Sequence, residues 1–119
     1  MAVAIVELKN DVNLGRNATV QLEEMGVNSN TYTVDQLMDL PGEVARRLEE
    51  ADAVIALADM TDSNYISEAV SQIIKIDAGT EKPVAKVLDE KGVRDRHTYQ
   101  RELKSLTNER AERLAREIN

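Results

Sequence analysis

The sequence predicts an α/β domain in which a four-stranded parallel sheet is flanked by helices on both faces. Three observations carry this prediction: four short apolar or β-branched runs, a helical pattern after each run, and turn residues between them. Right-handed crossovers between parallel strands distribute the helices over both faces of the sheet. With 119 residues, 42% of them apolar and 31% charged, the chain is expected to form one domain over residues 1–119.

The first strand and helix are predicted near the amino end. Residues Ala2–Val6 are apolar without alternation, as in a strand that is buried on both faces. Turn and N-cap residues follow, namely Asn10, Asp11 and Asn13. Helical spacing is kept by Leu14, Ala18, Gln21, Leu22 and Met25. Gly26 then supplies the stop of this first helix.

The second strand–helix unit is shorter. Thr31–Val34 is β-branched and aromatic, which favours a strand. Asp35 can cap a turn that leads through Pro41 into a second helix. The apolar residues of that helix are Val44, Ala45 and Leu48.

The second half predicts two further units. Ala53–Ala58 reads as a buried third strand that ends at Asp59, and Pro83–Leu88 is the fourth strand after a break at Gly79. The polar loop Thr61–Asn64 is predicted to cap a third helix with an apolar face of Ile66, Ala69, Val70, Ile73 and Ile74. The chain from about Arg94 forms one helix with a stripe of Leu103, Leu106, Arg110 or Ala111, Leu114 and Ile118.

Composition excludes several classes of function. The 15 basic and 22 acidic residues give a net charge of −7, which disfavours binding to nucleic acid or to anionic membranes. There is no cysteine and His97 is the sole histidine, so disulfides and Cys/His zinc sites are excluded and no metal or cofactor is expected. Met1–Leu8 lacks the basic region of a signal peptide, and a cytoplasmic location is expected.

Ligands of parallel sheets bind at the carboxyl ends of the strands, so the loops after Leu8, Val34, Ala58 and Leu88 are the expected site. Among the acids there, Glu7, Asp59 and Asp62 could hold Mg²⁺, although turn and capping roles are more usual for such residues. His97 could act as a general base, as histidine side chains commonly do, but it has no obvious carboxylate to orient it, and a solvated histidine is the alternative.

Two further features allow alternative functions. Glu68 stands early in the third helix, where proteins resembling nucleoside deoxyribosyltransferases or TIR domains carry a catalytic glutamate; a favourable interaction with the helix dipole is the simpler explanation. A basic cluster formed by Arg94, Arg96, Arg101 and Lys104 could bind phosphate or carboxylate oxygens, or could be a solvated helix face.

Several short segments keep their order along nearly the whole chain. They are Val12-Asn13-Leu14, Gln21–Glu24, Tyr32-Thr33-Val34, Asp39-Leu40-Pro41, Leu48-Glu49-Glu50, Val54–Leu57 with Met60, Glu68-Ala69, Glu102-Leu103-Lys104 and Arg110-Ala111 with Ala115. Taken together they resemble the archaeal riboflavin synthase group, which is akin to lumazine synthase. The resemblance implies a lumazine-synthase-like or flavodoxin-like (βα)4 fold and a pentamer with its sites between adjacent subunits.

The resemblance also implies a ligand and roles for individual residues. The ligand would be 6,7-dimethyl-8-ribityllumazine, which riboflavin synthase converts to riboflavin by transfer of a four-carbon unit. We expect Asp35, Gln36 and Asp39 to hydrogen-bond the polyol, Thr61, Ser63 and Asn64 to position the ring, and Tyr65 or Tyr32 to stack on it, while Asp59 lines the same wall of the site. Arg101, at a position similar to the phosphate-binding arginine of lumazine synthase, would come from a neighbouring copy.

The chain departs from this family at two places. The loop after the third strand, Asp59–Tyr65, is shorter than in the family and contains neither glycine nor histidine. Glu109 stands at the position that resembles a family lysine, where a carboxylate would repel a phosphate. Three functions therefore stay open: riboflavin synthase-like transfer, glycosyl-bond chemistry at Glu68, and a non-catalytic structural or partner subunit.

Overall fold

Four parallel strands alternate with four α-helices along residues 2–119, which are the residues that the computed structural model describes. The elements are β1 (Ala2–Leu8), α1 (Leu14–Glu24), β2 (Asn28–Val34), a short 3₁₀ turn (Leu37–Asp39), α2 (Leu40–Leu48), β3 (Ala53–Asp59), α3 (Ile66–Ala78), β4 (Val84–Asp89) and α4 (Arg96–Ile118). The predicted (βα)4 class with a four-stranded parallel sheet is confirmed. No helix among the described residues is both long and apolar enough to cross a membrane.

The sheet has the order β2-β1-β3-β4, which places β1 and β3 in its centre. Ile5 of β1 lies opposite Thr31 of β2 on one side and Ile55 of β3 on the other. Helices cover both faces of these central strands, so every residue from Ala53 to Ala58 is buried. This double burial explains why the two central strands have continuous apolar runs rather than alternating ones.

The helices form one layer on each side of the sheet. α1 and α4 pack together over one face, where Ile5, Ile55 and Leu103 belong to one apolar cluster. α2 and α3 cover the other face, where Val6 and Val44 belong to a second cluster. The chain therefore leaves β1 toward one face and β3 toward the opposite face. The point outside the carboxyl ends of these two strands is where ligands bind in open parallel sheets.

The structure differs from the sequence prediction mainly at edges and caps. β2 begins at Asn28, three residues before the predicted start. The prediction missed Asn28, Ser29 and Asn30 because Asn and Ser have low β propensity. Ala45 and Ile74 were predicted on apolar faces but are exposed, and the side chain of Ile74 is 53% accessible. Within α4 the alternative is resolved toward Ala111, which is buried, and Tyr99 is also buried although the predicted stripe omitted it.

The helix starts are organised differently from the prediction. Asp95 caps α4, since its Oδ1 accepts a hydrogen bond of 2.9 Å from the Thr98 N–H. α3 follows Tyr65, which has a left-handed backbone and no side-chain cap, so the predicted capping by Thr61–Asn64 is wrong. At α1, Asn10 Oδ1 accepts a hydrogen bond from the Leu14 N–H at 3.2 Å.

Glu7 also holds the start of α1. Its Oε2 accepts a hydrogen bond of 2.9 Å from the Gly15 N–H, so a negative charge meets the positive end of the helix. A Cβ atom at position 15 would lie 2.8 Å from the Glu7 carboxylate, which is closer than packed atoms approach. A side chain at position 15 would therefore displace the Glu7 carboxylate from its hydrogen bonds, and glycine avoids this cost.

Replacing Gly15 and Gly42 by alanine is expected to change stability in opposite directions. Gly15→Ala should lower the free energy of unfolding by about 1–3 kcal/mol, because the new methyl group meets the Glu7 carboxylate. Gly42→Ala in α2 should raise it by about 0.5–1 kcal/mol, because its methyl group meets no atom within 4 Å and glycine costs helix stability. Urea unfolding of both variants measures the effects, and equal changes at the two positions would contradict this explanation.

Candidate functional site

The loops that follow β1, β2 and β3 enclose a cleft of about 430 Å³ at the carboxyl ends of these strands. Its wall consists of Leu8, Lys9, Asp35, Gln36, Leu37, Met38, Asp59, Thr61, Asp62, Ser63, Asn64 and Tyr65. Six residues that the sequence singled out as ligand-binding are thus brought together: Asp35, Gln36, Asp59, Thr61, Ser63 and Asn64. The cleft lies at the place where the chain changes faces between β1 and β3.

Other candidate residues lie outside this wall. Asp39 is exposed at the start of α2, and Glu68 is exposed in the first turn of α3. Arg101 lies on α4, where it lines a separate cavity of about 270 Å³ with His97, Gln100 and Lys104. A single copy of the chain therefore does not bring Arg101 to the acidic cleft.

The two tyrosines that were expected to stack on a ring have different surroundings. Tyr65 lies at the cleft and is 66% exposed, so its ring is free to contact a ligand. Tyr32 is covered by Arg47, whose guanidinium carbon lies 3.7 Å from the ring centroid. Arg47 is itself held by Glu43 and Glu50 at 2.6 and 2.7 Å. Tyr65 is consequently the aromatic side chain available to this cleft.

The cleft is acidic. Asp35, Asp59 and Asp62 contribute three carboxylates, whereas Lys9 contributes the one cation of the wall. Within residues 2–119, none of these three carboxylates forms an ion pair with a basic side chain. The cleft therefore attracts hydrogen-bond donors and cations and repels anions.

Asp59 is fixed by Tyr99 from α4. The Tyr99 hydroxyl lies 2.7 Å from Asp59 Oδ1 and 3.0 Å from the carbonyl oxygen of Asp89. The same Asp59 Oδ1 accepts a hydrogen bond of 3.1 Å from the Thr61 N–H. Since Oδ1 is used twice, Oδ2 is the oxygen that remains for a ligand. No pattern in the sequence predicted this contact, because Asp59 and Tyr99 are distant along the chain.

Arg94 contacts Asp89 and the ring of Tyr99, and so it fixes the loop between β4 and α4. Its guanidinium donates hydrogen bonds to Glu102, at 2.8 Å, and to Asp89, at 3.0 Å. These two bonds raise the pKa of Arg94. The guanidinium carbon also lies 4.9 Å from the centroid of the Tyr99 ring. Arg94 was one of four residues in the predicted anion-binding cluster, and its role here is internal.

Of the other three residues in that basic cluster, one forms an ion pair within the chain and two do not. Arg96 donates to Asp11 at 2.7 Å and so joins α4 to the loop after β1. Arg101 and Lys104 form no ion pair with another residue of the described chain. The basic surface that is open to a partner is thus smaller than the sequence suggested.

The loop between β3 and α3 has a constrained backbone. Asp62 and Tyr65 have positive φ angles of 64° and 60°, a backbone conformation that residues other than glycine rarely adopt. Two hydrogen bonds hold the loop. The Met60 N–H donates to the carbonyl oxygen of Asp89 at 2.7 Å, and the Lys91 N–H donates to Thr61 Oγ1 at 2.9 Å. Strain of this kind persists where surrounding contacts determine the conformation, often at functional sites.

Two of the three acids that were considered as magnesium ligands, Glu7 and Asp59, accept hydrogen bonds within the protein. Glu7 accepts hydrogen bonds from the Gly15 N–H, from Asn10 Nδ2 and from Thr33 Oγ1 at 2.9, 3.0 and 3.2 Å. Across residues 2–119, no group of three or more His, Asp or Glu side chains is placed to hold a metal ion. Glu7 belongs to the start of α1 rather than to a shared site with Asp59.

Comparison with known proteins shows a likeness of fold to solved structures. No protein-family model matches the sequence, and no curated protein matches it. Among solved structures, a chain described as a split-gene transketolase in an inactive β4 tetramer is similar, with a TM-score of 0.65 and 17% sequence identity. The match covers 98% of this chain but only 38% of the transketolase chain. At this identity the likeness shows the fold alone.

The Tyr99 hydroxyl is expected to make stability depend on pH in alkaline solution. Burial and the hydrogen bond to Asp59 raise the pKa of Tyr99 above the usual value of about 10. Because the pKa is higher in the folded chain, this stabilisation is complete below the unfolded pKa and is lost as the pH rises through the folded pKa. Urea unfolding between neutral and alkaline pH should show the decline, and Tyr99→Phe should reduce it.

Tyr65→Phe is the matched control, because the Tyr65 side chain is exposed and leaves the decline in place. Ultraviolet titration gives an independent test with the three tyrosines of the chain. The absorbance change of Tyr99 should be delayed until the protein unfolds. An identical alkaline decline in the wild type and in Tyr99→Phe would refute this role for Tyr99.

Proposed function

We propose that this protein binds a small, uncharged, polyhydroxylated heterocycle of the ribityllumazine type in the cleft at the carboxyl ends of β1, β2 and β3. The observation that carries the proposal is the convergence of Asp35, Gln36, Asp59, Ser63 and Asn64 around one cleft of about 430 Å³. This volume is within the usual range for sites of small molecules, about 300–1,000 Å³.

The chemistry of the wall suits a polyol. Carboxylates at Asp35 and Asp59 accept hydrogen bonds from hydroxyl groups, and the amides of Gln36 and Asn64 both donate and accept. A chain of hydroxyl groups needs this combination, because each hydroxyl donates one hydrogen bond and accepts others. The exposed ring of Tyr65 would stack on the heterocycle.

The charge of the wall favours a ligand without phosphate. Three carboxylates against one lysine would make an anion costly to bring into the cleft. This supports an uncharged ribityl compound over its phosphate ester.

Turnover would be a further step beyond binding. The resemblance to riboflavin synthase suggests transfer of a four-carbon unit between two lumazines, in an assembly of several copies in which Arg101 of a neighbour reaches the cleft. Arg101 is exposed and unpaired with a described acid, which leaves it available for this role. Glu68 lies outside the wall of the cleft, so a ligand in this cleft would not contact the residue expected to carry out glycosyl-bond chemistry.

Substitutions in the cleft are expected to weaken the binding of 6,7-dimethyl-8-ribityllumazine. Asp35→Asn and Asn64→Ala should each raise the dissociation constant about tenfold, since Asp35→Asn replaces an acceptor oxygen and removes its charge, and Asn64→Ala removes a hydrogen bond worth about 1–1.5 kcal/mol. Glu49→Gln is the control, because it removes the same charge at the opposite end of α2. The fluorescence of the lumazine measures binding, and slow flavin emission measures turnover.

The outcomes separate the functions that remain open. Flavin formation above the buffer level would establish riboflavin synthase activity, whereas binding without flavin would indicate a non-catalytic binding protein. Absence of any fluorescence change at high protein concentration, or equal affinity of Asp35→Asn, Asn64→Ala and Glu49→Gln, would overturn the proposed site.

The acidic wall is also expected to discriminate between uncharged and phosphorylated ligands. Riboflavin should bind at least about tenfold more tightly than riboflavin 5′-phosphate at low salt, a difference of about 1.4 kcal/mol. Added salt should narrow this ratio, because it screens the repulsion between the phosphate and the carboxylates. Competition against the fluorescent lumazine measures both affinities, and tighter binding of the phosphate ester would contradict the charge argument.

A further inference from the structure

We propose that the outer edge of β4 pairs with β4 of a second copy of this chain. The two strands would run antiparallel, so that two four-stranded sheets join into one sheet of a symmetric dimer. This surface lies on the side of the domain remote from β2, because β4 ends the strand order β2-β1-β3-β4. Four properties of the edge support the proposal.

The first property is a set of backbone groups directed outward. β3 is bonded to the carbonyl oxygens of Pro83 and Asp89, through the N–H groups of Val54 and Met60. In a parallel ladder alternate residues bond to the same neighbour, so Ala85 and Val87 also face β3. The N–H and C=O groups of Val84, Lys86 and Leu88 therefore point to the open side. Such a row is a template for another strand.

The second property is apolar surface beside this row. Val84 and Leu88 are only partly buried, although they pack against the core cluster on the α3 side. Ile74 is 53% exposed. It lies one turn before Asp77 on α3, and Asp77 contacts Lys86 of β4. Ile74 thus lies on the stripe of α3 that borders the edge of β4.

The edge of β2 provides the contrast. By the same alternation, its outward groups belong to Ser29, Thr31 and Thr33, since Val34 is bonded to β1 through the Lys9 N–H. All three have polar side chains, and β2 is the most exposed strand of the sheet. An edge of this kind faces water, whereas the edge of β4 combines open backbone groups with apolar neighbours.

The third property concerns Lys86. A lysine on an edge strand normally opposes pairing, because its free charge would be buried. Here Lys86 forms an ion pair with Asp77 of the same chain. Its charge is already balanced, and its Nζ also lies 3.5 Å from the outward carbonyl oxygen of Val84, a long contact that a second strand would replace. A second strand centred on Lys86 would place Val84 opposite Leu88 of the other copy, and this would cover apolar groups on both sides.

The fourth property is charge. A chain with a net charge of −7 repels its own copies over most of its surface. The C-terminal half of α4, whose Arg110, Arg113 and Glu117 line the cavity beside β4, has three acidic and three basic residues and therefore no net charge: Glu109, Arg110, Glu112, Arg113, Arg116 and Glu117. A surface without net charge lacks the repulsion that opposes contact between two copies, and a two-fold axis brings the same surface of both copies together. A cavity of about 260 Å³ between β4 and this half of α4 leaves room for side chains of the second copy.

Amide exchange on the unmodified protein is the direct test. If the edges pair, the amide protons of Val84, Lys86 and Leu88 become protected as the concentration rises, and the mass in solution doubles. The outward amides of Ser29, Thr31 and Thr33 on β2 should exchange quickly at every concentration and serve as an internal control. A monomer up to about 1 mM with unprotected β4 amides would overturn the proposal.

Variants locate the interface. Lys86→Pro removes an outward N–H without removing a bond to β3, and it should abolish the dimer; Thr31→Pro is the equivalent change on β2 and should leave the dimer intact. Because a proline can disturb folding, Ile74→Glu provides a second test, with Val93→Glu as the control at another exposed apolar residue. An oligomer that survives both Lys86→Pro and Ile74→Glu would place its interface elsewhere and refute the proposal.

Discussion

The hydrogen bond between Tyr99 and Asp59 connects the core of this protein to its cleft. Tyr99 belongs to the apolar layer between α4 and the sheet, yet its hydroxyl reaches the last residue of β3 and the carbonyl oxygen of Asp89. A buried hydroxyl must find partners, and here those partners are the ends of two neighbouring strands. The position of α4, the spacing of β3 and β4, and the orientation of Asp59 are therefore determined together.

The acidic residues of the cleft and those around α4 differ in whether basic side chains neutralise them. The carboxylates of the cleft have no basic partner within the described residues, which leaves them free for a ligand, whereas the carboxylates around α4 are largely neutralised by arginines. Exposed ion pairs of this kind add little to stability, typically 0–1 kcal/mol each. Their consequence is that the surface around these arginines carries little net charge, whereas the cleft stays acidic.

The sequence was sufficient for the layout and insufficient for the contacts. Continuous apolar runs in β1 and β3 predicted their central position, because only strands covered on both faces need them. The residues of the cleft followed from their place after strand ends. By contrast, the partners of Tyr99, Arg94 and Glu7 depend on how separate elements pack, and no periodicity in one segment reports that packing. Ile74 is an example of a periodic pattern that misled: its helical spacing predicted a place on the apolar face of α3, but its side chain is exposed.

The loop after β3 separates two spaces with a single layer of residues. Asp59, Thr61 and Asp62 line the cleft and also a neighbouring cavity of about 330 Å³ that reaches Lys91 and Tyr99. Molecules in the two spaces would therefore share the same carboxylates. A cation in one would neutralise charge that a cation in the other requires, so the two would bind antagonistically. The loop after β3 thus belongs to both spaces, and a change in its charge on one side would alter the electrostatic potential on the other.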